Sequence, residues 1–473
     1  MKKVKYTKIL LINPDYYENI FQNSKVRSAL ERGLIPVGLA SISGALIQKG
    51  CDVKILDLNL LGNSYENVSN TINIFKPEIV GITATTPIIY KLYKLAEHIK
   101  KIDSQIIVIA GGPHPSAMPE EILKESLVDC VVKGEGEFTM TSIIENGILE
   151  SIPNIYFKDN GNIIESIKSS AHIKDLDILP FPAYHLFNID QYKQPKIASR
   201  KEPMGYLETS RGCYGKCIFC NKNIHGFKYR VKSATKVVDE IEKMLEIGFK
   251  EIQIIDDVFS AKKKRVYEIC EEINKRNLQF PWYPRGGLRV ETVDYDLLYA
   301  MKESGCYRVP FGIETGSERI LKVIKKGITL EMAEKAVNAA KKAKLETECY
   351  FMMGHPTETE EDIKKTIKFA LKLDPDYVKF AITIPLPGTE LFDIMMANRQ
   401  IKTKNWEKFT FSTSPSEIYI HDVLSWKLID KYMNYAYRKY YFRRAYIFRM
   451  LFNTIKNKTF FGHVKAFINT KWL

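Results

Sequence analysis

Three cysteines stand close together in the stretch Thr209-Ser210-Arg211-Gly212-Cys213-Tyr214-Gly215-Lys216-Cys217-Ile218-Phe219-Cys220. At separations of four and three residues, on one short loop, their thiolates can face a single point. Cys213, Cys217 and Cys220 thus supply three of the four metal ligands that a [4Fe–4S] cube takes. The iron left without a protein sulfur keeps an open position, where a small molecule can bind directly. Structural zinc is the competing reading, since His225, five residues after Cys220, would complete a Cys3His set. The strand–helix repeat that follows the loop argues against it.

The elements that must position this loop alternate between strand and helix periodicities. Over about residues 1–150, short apolar or β-branched runs at 9–12, 53–58, 79–83, 106–110 and 130–132 are separated by helical patterns such as 37–48 and 88–100. That alternation predicts a doubly wound, flavodoxin-like parallel sheet with helices on both faces. Such sheets bind ligands beyond the carboxyl ends of their strands. Turn residues gather at those ends, at Asn13-Pro14, Thr83 to Thr86, Gly111-Gly112-Pro113-His114-Pro115 and Gly134-Glu135-Gly136-Glu137. Residues 151–200 read as a linker: a hairpin turns at Asp159-Asn160-Gly161-Asn162, and Leu179-Pro180-Phe181-Pro182 forbids a regular helix.

Over about residues 201–400 the repeat continues, with strands expected at 205–209, 251–255, 282–285, 308–313, 347–352 and 378–384, each followed by a helical pattern. Six such units make a partial (β/α)6 barrel of the TIM type, open on one side, with its active site at the carboxyl ends of the strands. Polar or turn-forming residues end five strands, among them Asp256 and Asp257, Arg285 with Arg289 close by, Glu314, His355 to Glu358, and Pro385 to Thr389. Each alone is an ordinary loop; five at the same end of one barrel suggest a site.

The CxxxCxxC spacing, with the aromatic Phe219 just before the last cysteine, resembles the cluster loop of radical S-adenosylmethionine (SAM) enzymes. Pro36-Val37-Gly38-Leu39, Gly111-Gly112-Pro113-His114-Pro115 and Gly134-Glu135-Gly136-Glu137 together resemble the cobalamin-binding domain that precedes many such barrels. The resemblance spans about residues 1–400. It implies three cofactors: a [4Fe–4S] cluster on Cys213, Cys217 and Cys220, SAM, and cobalamin. It places Asp256, Asp257, Arg289 and Glu314 near SAM, where carboxylates can make charge-assisted hydrogen bonds to its amino group or ribose. It places Pro36, Gly38, Thr83, Gly111, Gly112, Pro113, Gly134 and Gly136 near cobalamin, where glycines let a large ligand approach the backbone. One departure is that none of the eight histidines has an aspartate two residues before it, so no histidine is expected under cobalt.

The implied activity is methyl transfer to an unactivated carbon of a small or lipid-like metabolite, through a 5′-deoxyadenosyl radical and methylcobalamin. Oxidative cyclisation with the same cofactors is the alternative, and a non-catalytic cobalamin or iron–sulfur sensor a remote one. A reductant such as flavodoxin or ferredoxin is the implied electron source.

The other five cysteines, Cys51, Cys130, Cys270, Cys306 and Cys349, are scattered and read as buried thiols. A reducing cytoplasm is therefore expected, and the start Met1-Lys2-Lys3-Val4-Lys5 lacks a signal peptide's apolar core. The net charge is +14, and Trp426 to Leu473 holds eleven Lys/Arg against one acidic residue, with aromatics interleaved. Residues 401–473 thus form a basic, aromatic, mostly helical extension. It fits a helical cap over the barrel, a contact with lipid at the inner face of the membrane, or RNA binding. RNA ranks last, because no RNA-binding module is recognisable.

Overall fold

The computed structural model describes residues 5–16, 33–62, 65–167, 172–192, 194, 198–410 and 413–456. The first and last segments of the charge pattern, 1–4 and 457–473, lie outside the described residues. The first sheet contains β1 (Lys8–Asn13), β2 (Asp52–Asp57), β3 (Ile79–Thr83), β4 (Ile107–Gly111), β5 (Cys130–Val132), β6 (Ile155–Asp159) and β7 (Asn162–Glu165). Its order is β2-β1-β3-β4-β5-β6-β7. The first five strands run parallel, and the hairpin β6–β7 joins antiparallel to β5. A parallel sheet covered on both faces needs continuous apolar strands, and Ile9, Leu10, Leu11 and Ile12 are all buried. The order reverses between β1 and β3, which opens a crevice at their carboxyl ends.

The second half begins with β8 (Met204–Leu207) and a two-residue ladder of β9 (Ser210–Arg211) with β10 (Arg230–Val231). Then come β11 (Glu251–Ile254), β12 (Trp282–Pro284), β13 (Arg308–Glu314), β14 (Glu346–Met353) and β15 (Tyr377–Ile382). Strands β8, β11 and β12 pair in parallel, as do β13, β14 and β15. Parallel bridges Trp282–Cys306 and Leu288–Phe311 link the two sets. The result is six parallel strands in the order β8-β11-β12-β13-β14-β15, the partial barrel that the sequence period predicts. Helix starts are set locally: the Ser233 hydroxyl caps Ala234–Ile247, and Thr359 with Asp362 forms a capping box on Glu360–Leu373.

β15 is an edge strand, and its outward backbone groups need partners. The tail supplies them. Tyr437 and Tyr441, one turn apart on the helix Trp426–Tyr441, bond the peptide groups of Phe380 and Val378 through their hydroxyls. The described part of the tail thus packs along the free edge of β15, with Tyr437, Tyr440 and Tyr441 turned inward and Tyr435 and Phe442 exposed. Ile447 and Phe448, on the following helix Arg444–Lys456, stay exposed. Among the described residues no helix is long and apolar enough to cross a membrane. The halves share one apolar core, in which Ile88, Ile89 and Leu92 of the first domain meet Ile218, Ile320, Leu391 and Trp406.

Candidate active site

The cysteine loop leaves β8 and is closed at its stem by the β9–β10 ladder. Below the stem lies Asp256, 2% exposed. Its carboxylate accepts from Thr209 N (2.6 Å), Thr209 Oγ1 (2.5 Å) and Ser210 Oγ (2.5 Å). Burial pushes its pKa up, against the Arg265 charge and the Ser210 and Thr209 donors. Both Asp256 oxygens are thus committed to the loop, which Asp256 anchors from beneath. Asp257 sits one residue on, exposed, with Oδ2 accepting from Gly212 N (2.9 Å) and facing His225 Nδ1 (3.1 Å). Despite the cost of burial, the His225 bond holds Asp257 below the usual carboxylate range.

His225 Nε2 faces Glu208 Oε1 at 3.3 Å. Both ring nitrogens therefore meet carboxylates, and these outweigh burial to raise the His225 pKa. Both ring nitrogens are thus turned to carboxylates and not to the cysteines, and among the described residues no three His, Cys, Asp or Glu side chains converge as one metal ion requires. A four-iron cube spreads its ligands more widely.

Two arginines bracket the loop and reach into the first domain. Arg211 donates through Nη2 to Glu137 Oε1 (2.5 Å), through Nη1 to Glu137 Oε2 (3.3 Å) and through Nε to Glu208 Oε2 (2.7 Å). Arg230 holds Glu135 with both Nη1 (3.0 Å) and Nη2 (2.6 Å), and Ser41 Oγ donates to Glu137 Oε1 (2.7 Å). All four charged side chains are almost fully buried. Burial alone would raise Glu137, yet the Arg211 charge and hydrogen bonds hold it down to about 2. Sequence reasoning noticed the glycines of Gly134-Glu135-Gly136-Glu137 and missed the work of the glutamates between them.

At the tip, Cys213 is buried, Cys217 half-buried and Cys220 exposed. Burial would lower the Lys222 pKa, but the neighbouring Cys220 and Cys213 thiols raise it. A cavity of about 470 Å³ opens here, lined by Cys217, Cys220, Lys216, Lys222 and Lys325 among others. Lys216 and Lys222 beside the thiols suit a negatively charged thiolate-bound cluster, while Lys325 is bridged to Glu390 on the same wall, so these residues fit the group. Arg289 lies over the Tyr214 ring at 5.4 Å, donates to Lys326 O (2.9 Å) and pairs with Glu291. A Cβ added to Gly215 would stand 2.7 Å from Arg289 Nη1 and 3.3 Å from Cys213 Sγ, so glycine lets the arginine press against the loop. Glu314 ends β13 at φ +71°, a strained conformation for a side-chain-bearing residue, and its Oε1 meets Lys326 Nζ at 2.6 Å.

The expected cobalamin residues form a ledge at the carboxyl ends of β1, β3, β4 and β5. Pro36, Gly38, Thr83, Gly111, Gly112, Pro113 and Gly134 are partly or fully exposed. A Cβ on Gly38 would meet nothing within 4 Å, and the buried Thr85 hydroxyl beside the ledge has no protein partner. Both features fit a large ligand. Gly136 is corrected: it is buried beneath Ile42, where a Cβ would come within 2.8 Å, and it faces no ledge. Gly134 looks onto the backbone of Asn223 and Ile224, so the ledge borders the cysteine loop. His114 is fully buried, with Nδ1 on Thr86 and its ring against Trp406.

Residues 207–370 match the radical SAM superfamily and residues 25–144 match the B12 binding domain. An uncharacterised methyltransferase of Pyrococcus horikoshii is 35% identical over 456 residues, 95% of each chain. An anaerobic magnesium-protoporphyrin IX monomethyl ester cyclase of Rubrivivax gelatinosus is 27% identical over 98% of this chain and 82% of its own. Among solved structures, the cobalamin-dependent SAM radical enzyme OxsB with aqua-cobalamin bound superposes with a TM-score of 0.73 at 17% identity, over 92% of this chain and 66% of its own. The methyltransferase TsrM of Kitasatospora setae gives 0.69 at 18%, over 84% and 77%. The radical SAM domain uses a [4Fe–4S] cluster and SAM, and the B12-binding domain uses cobalamin. The chain is an enzyme that belongs to the radical SAM superfamily, with a B12-binding domain ahead of its barrel.

Proposed function

We propose that the enzyme is a cobalamin-dependent methyltransferase that modifies an unactivated carbon of a small or lipid-like metabolite. The observation that carries this reading is the buried junction of Glu135 and Glu137 with Arg230 and Arg211, which holds the ledge against the cysteine loop. Methyl transfer between two cofactors needs that fixed proximity. The Pyrococcus relative, an uncharacterised methyltransferase aligned over 95% of both chains, supports the same reading. In this proposal about residues 1–150 bind cobalamin, 151–200 link, 201–400 form the barrel and 401–473 cap it.

Cys213, Cys217 and Cys220 would hold the cluster, with Lys216 and Lys222 offsetting its charge. Asp257 and Glu314 face the loop and the barrel mouth, where the amino group and ribose of SAM would bind. Pro36, Gly38, Thr83, Gly111, Gly112, Pro113 and Gly134 would line the corrin. When bound, the cluster supplies the electron that cleaves SAM to a 5′-deoxyadenosyl radical, and cobalamin supplies the methyl group. The chain's own part is to hold the loop rigid from beneath, through Asp256, and from the side, through Arg211 and Arg230. A flavodoxin- or ferredoxin-like reductant is proposed as partner. Contact with a lipid surface through Ile447, Phe448 and the tail's basic residues is a further proposal; the cap packing of Tyr437 and Tyr441 neither needs nor opposes it.

The Rubrivivax relative favours a second reading, oxidative cyclisation. Product analysis after anaerobic reconstitution separates the two. Methylation yields S-adenosylhomocysteine together with 5′-deoxyadenosine; ring closure yields no S-adenosylhomocysteine. Replacing Cys213, Cys217 or Cys220 by Ala should abolish deoxyadenosine formation. Turnover of SAM by all three variants would overturn the cluster assignment.

A further inference from the structure

Inside the barrel, among the described residues, the Arg285 guanidinium bonds only neutral groups. Register pairs Tyr206 with Gln253 and Gln253 with Tyr283, so the three share one face of the sheet. The alternate position, Gly205, abuts Met244 and Phe249 on the helix side, so Tyr206, Gln253 and Tyr283 face the barrel interior. Arg285, two residues past Tyr283, sits one level nearer the mouth. Its Nη1 donates to Gln253 Oε1 (3.0 Å) and Tyr206 Oη (3.3 Å), and its guanidinium lies 5.5 Å from the Tyr206 ring centre.

Other arginines of this half meet carboxylates, Arg308 with Glu346, Arg289 with Glu291 and Arg211 with Glu137, or backbone carbonyls, as Arg265 does at Thr209 and Lys232. Among the described residues Arg285 has no carboxylate within ion-pair distance, and its Nε and Nη2 have no acceptor. Glu348, the acid on the facing strand, is bridged to Lys379 instead (2.8 Å). The interior is open at this level. On β14 the inward Tyr350 and Met352 are half-buried, whereas the outward Cys349, Phe351 and Met353 are fully buried.

A guanidinium fixed on one edge and free on the other, between tyrosine rings in a half-dry chamber, is built for a planar oxyanion. We propose that Arg285 is the anion-binding residue of the substrate chamber. The substrate would carry a carboxylate or phosphate on the free Nε and Nη2 edge, with an apolar or flat body against Tyr206 and Tyr350. This rests on the reading above, in which the barrel mouth receives the methyl acceptor.

The test uses the anaerobically reconstituted enzyme, loaded with SAM, and three probes in calorimetric titration: phenyl phosphate, benzoate and the neutral benzyl alcohol. At least one anion should bind saturably and more tightly than benzyl alcohol, and the tighter of the two anions tells phosphate from carboxylate. Arg285→Gln should weaken that binding by about tenfold or more, and Arg285→Lys, which keeps the charge but loses the fork, by less. Circular dichroism checks that both variants are folded. Equal binding of the neutral probe, no anion binding, or unchanged binding in Arg285→Gln would overturn the proposal. So would competition between the anion and SAM, which would assign Arg285 to the cosubstrate's carboxylate. SAM cleavage by the wild-type enzyme without substrate is measured separately. Its absence would count against the radical reading and leave the anion titration standing.

Discussion

The stem and the tip of the cysteine loop are built in opposite ways. At the stem, Arg211 and Arg230 are nearly inaccessible to water, and each guanidinium is matched by glutamates from the other domain. At the tip, Cys217 and Cys220 border open space, and the charge beside the thiols is the half-buried ammonium of Lys222. A ligand loop has to keep sulfur available while its backbone stays still. Separating the two tasks along one loop achieves this: a dry, fully paired stem fixes the geometry, and a wet tip stays free to bind iron. The same contrast explains why Asp256 is a good anchor.

The contrast breaks first at the stem. Glu137→Ala would leave Arg211 buried without its partner, at a cost of about 3–5 kcal/mol, read as a drop in urea midpoint. An unchanged midpoint would mean that the junction does not hold the domains. Asp256→Ala strands the Thr209 amide and two hydroxyls, and about 2–3 kcal/mol of destabilisation is expected in the same titration.

Away from the loop, Glu358 gives a pH-dependent control. Burial pushes its carboxyl up to about 8, despite bonds from the Gly354 and His355 amides. The folded state then holds a proton that the unfolded chain releases at ordinary glutamate pH. Stability should therefore fall as pH rises from that range toward 8, and Glu358→Gln should flatten the profile measured by thermal melts at several pH values. Tyr437→Phe removes the hydroxyl that serves β15 and should cost about 1 kcal/mol. At the tip, Cys220→Ser should change the urea midpoint by less than about 0.5 kcal/mol while SAM cleavage is lost. A large stability loss there would erase the distinction between stem and tip.

Much of this was readable from local pattern. Spacing alone marks Cys213, Cys217 and Cys220, and apolar runs bounded by turns mark the strands of both sheets, because each signal fits within one element. The Asp159-Asn160-Gly161-Asn162 turn revealed a hairpin, though not that β6 would pair with β5. The stem was invisible for a related reason. Glu137 and Arg211 are 74 residues apart, and Glu135 and Arg230 are 95 apart, so no periodicity links them. The anchoring bonds of Asp256 were not legible, because a carboxylate at a strand end looks the same in sequence whether it faces a ligand or a backbone amide. The tail's interleaved aromatics left cap, lipid contact and RNA binding open, and only the fold shows that Tyr437 and Tyr441 serve the free edge of β15.

The most direct test of the central claim is electron paramagnetic resonance of the anaerobically reconstituted, reduced enzyme with and without SAM. The account predicts a [4Fe–4S] signal that shifts when SAM is added and disappears in Cys217→Ala. Bound zinc with little iron, or an iron signal indifferent to SAM, would contradict it.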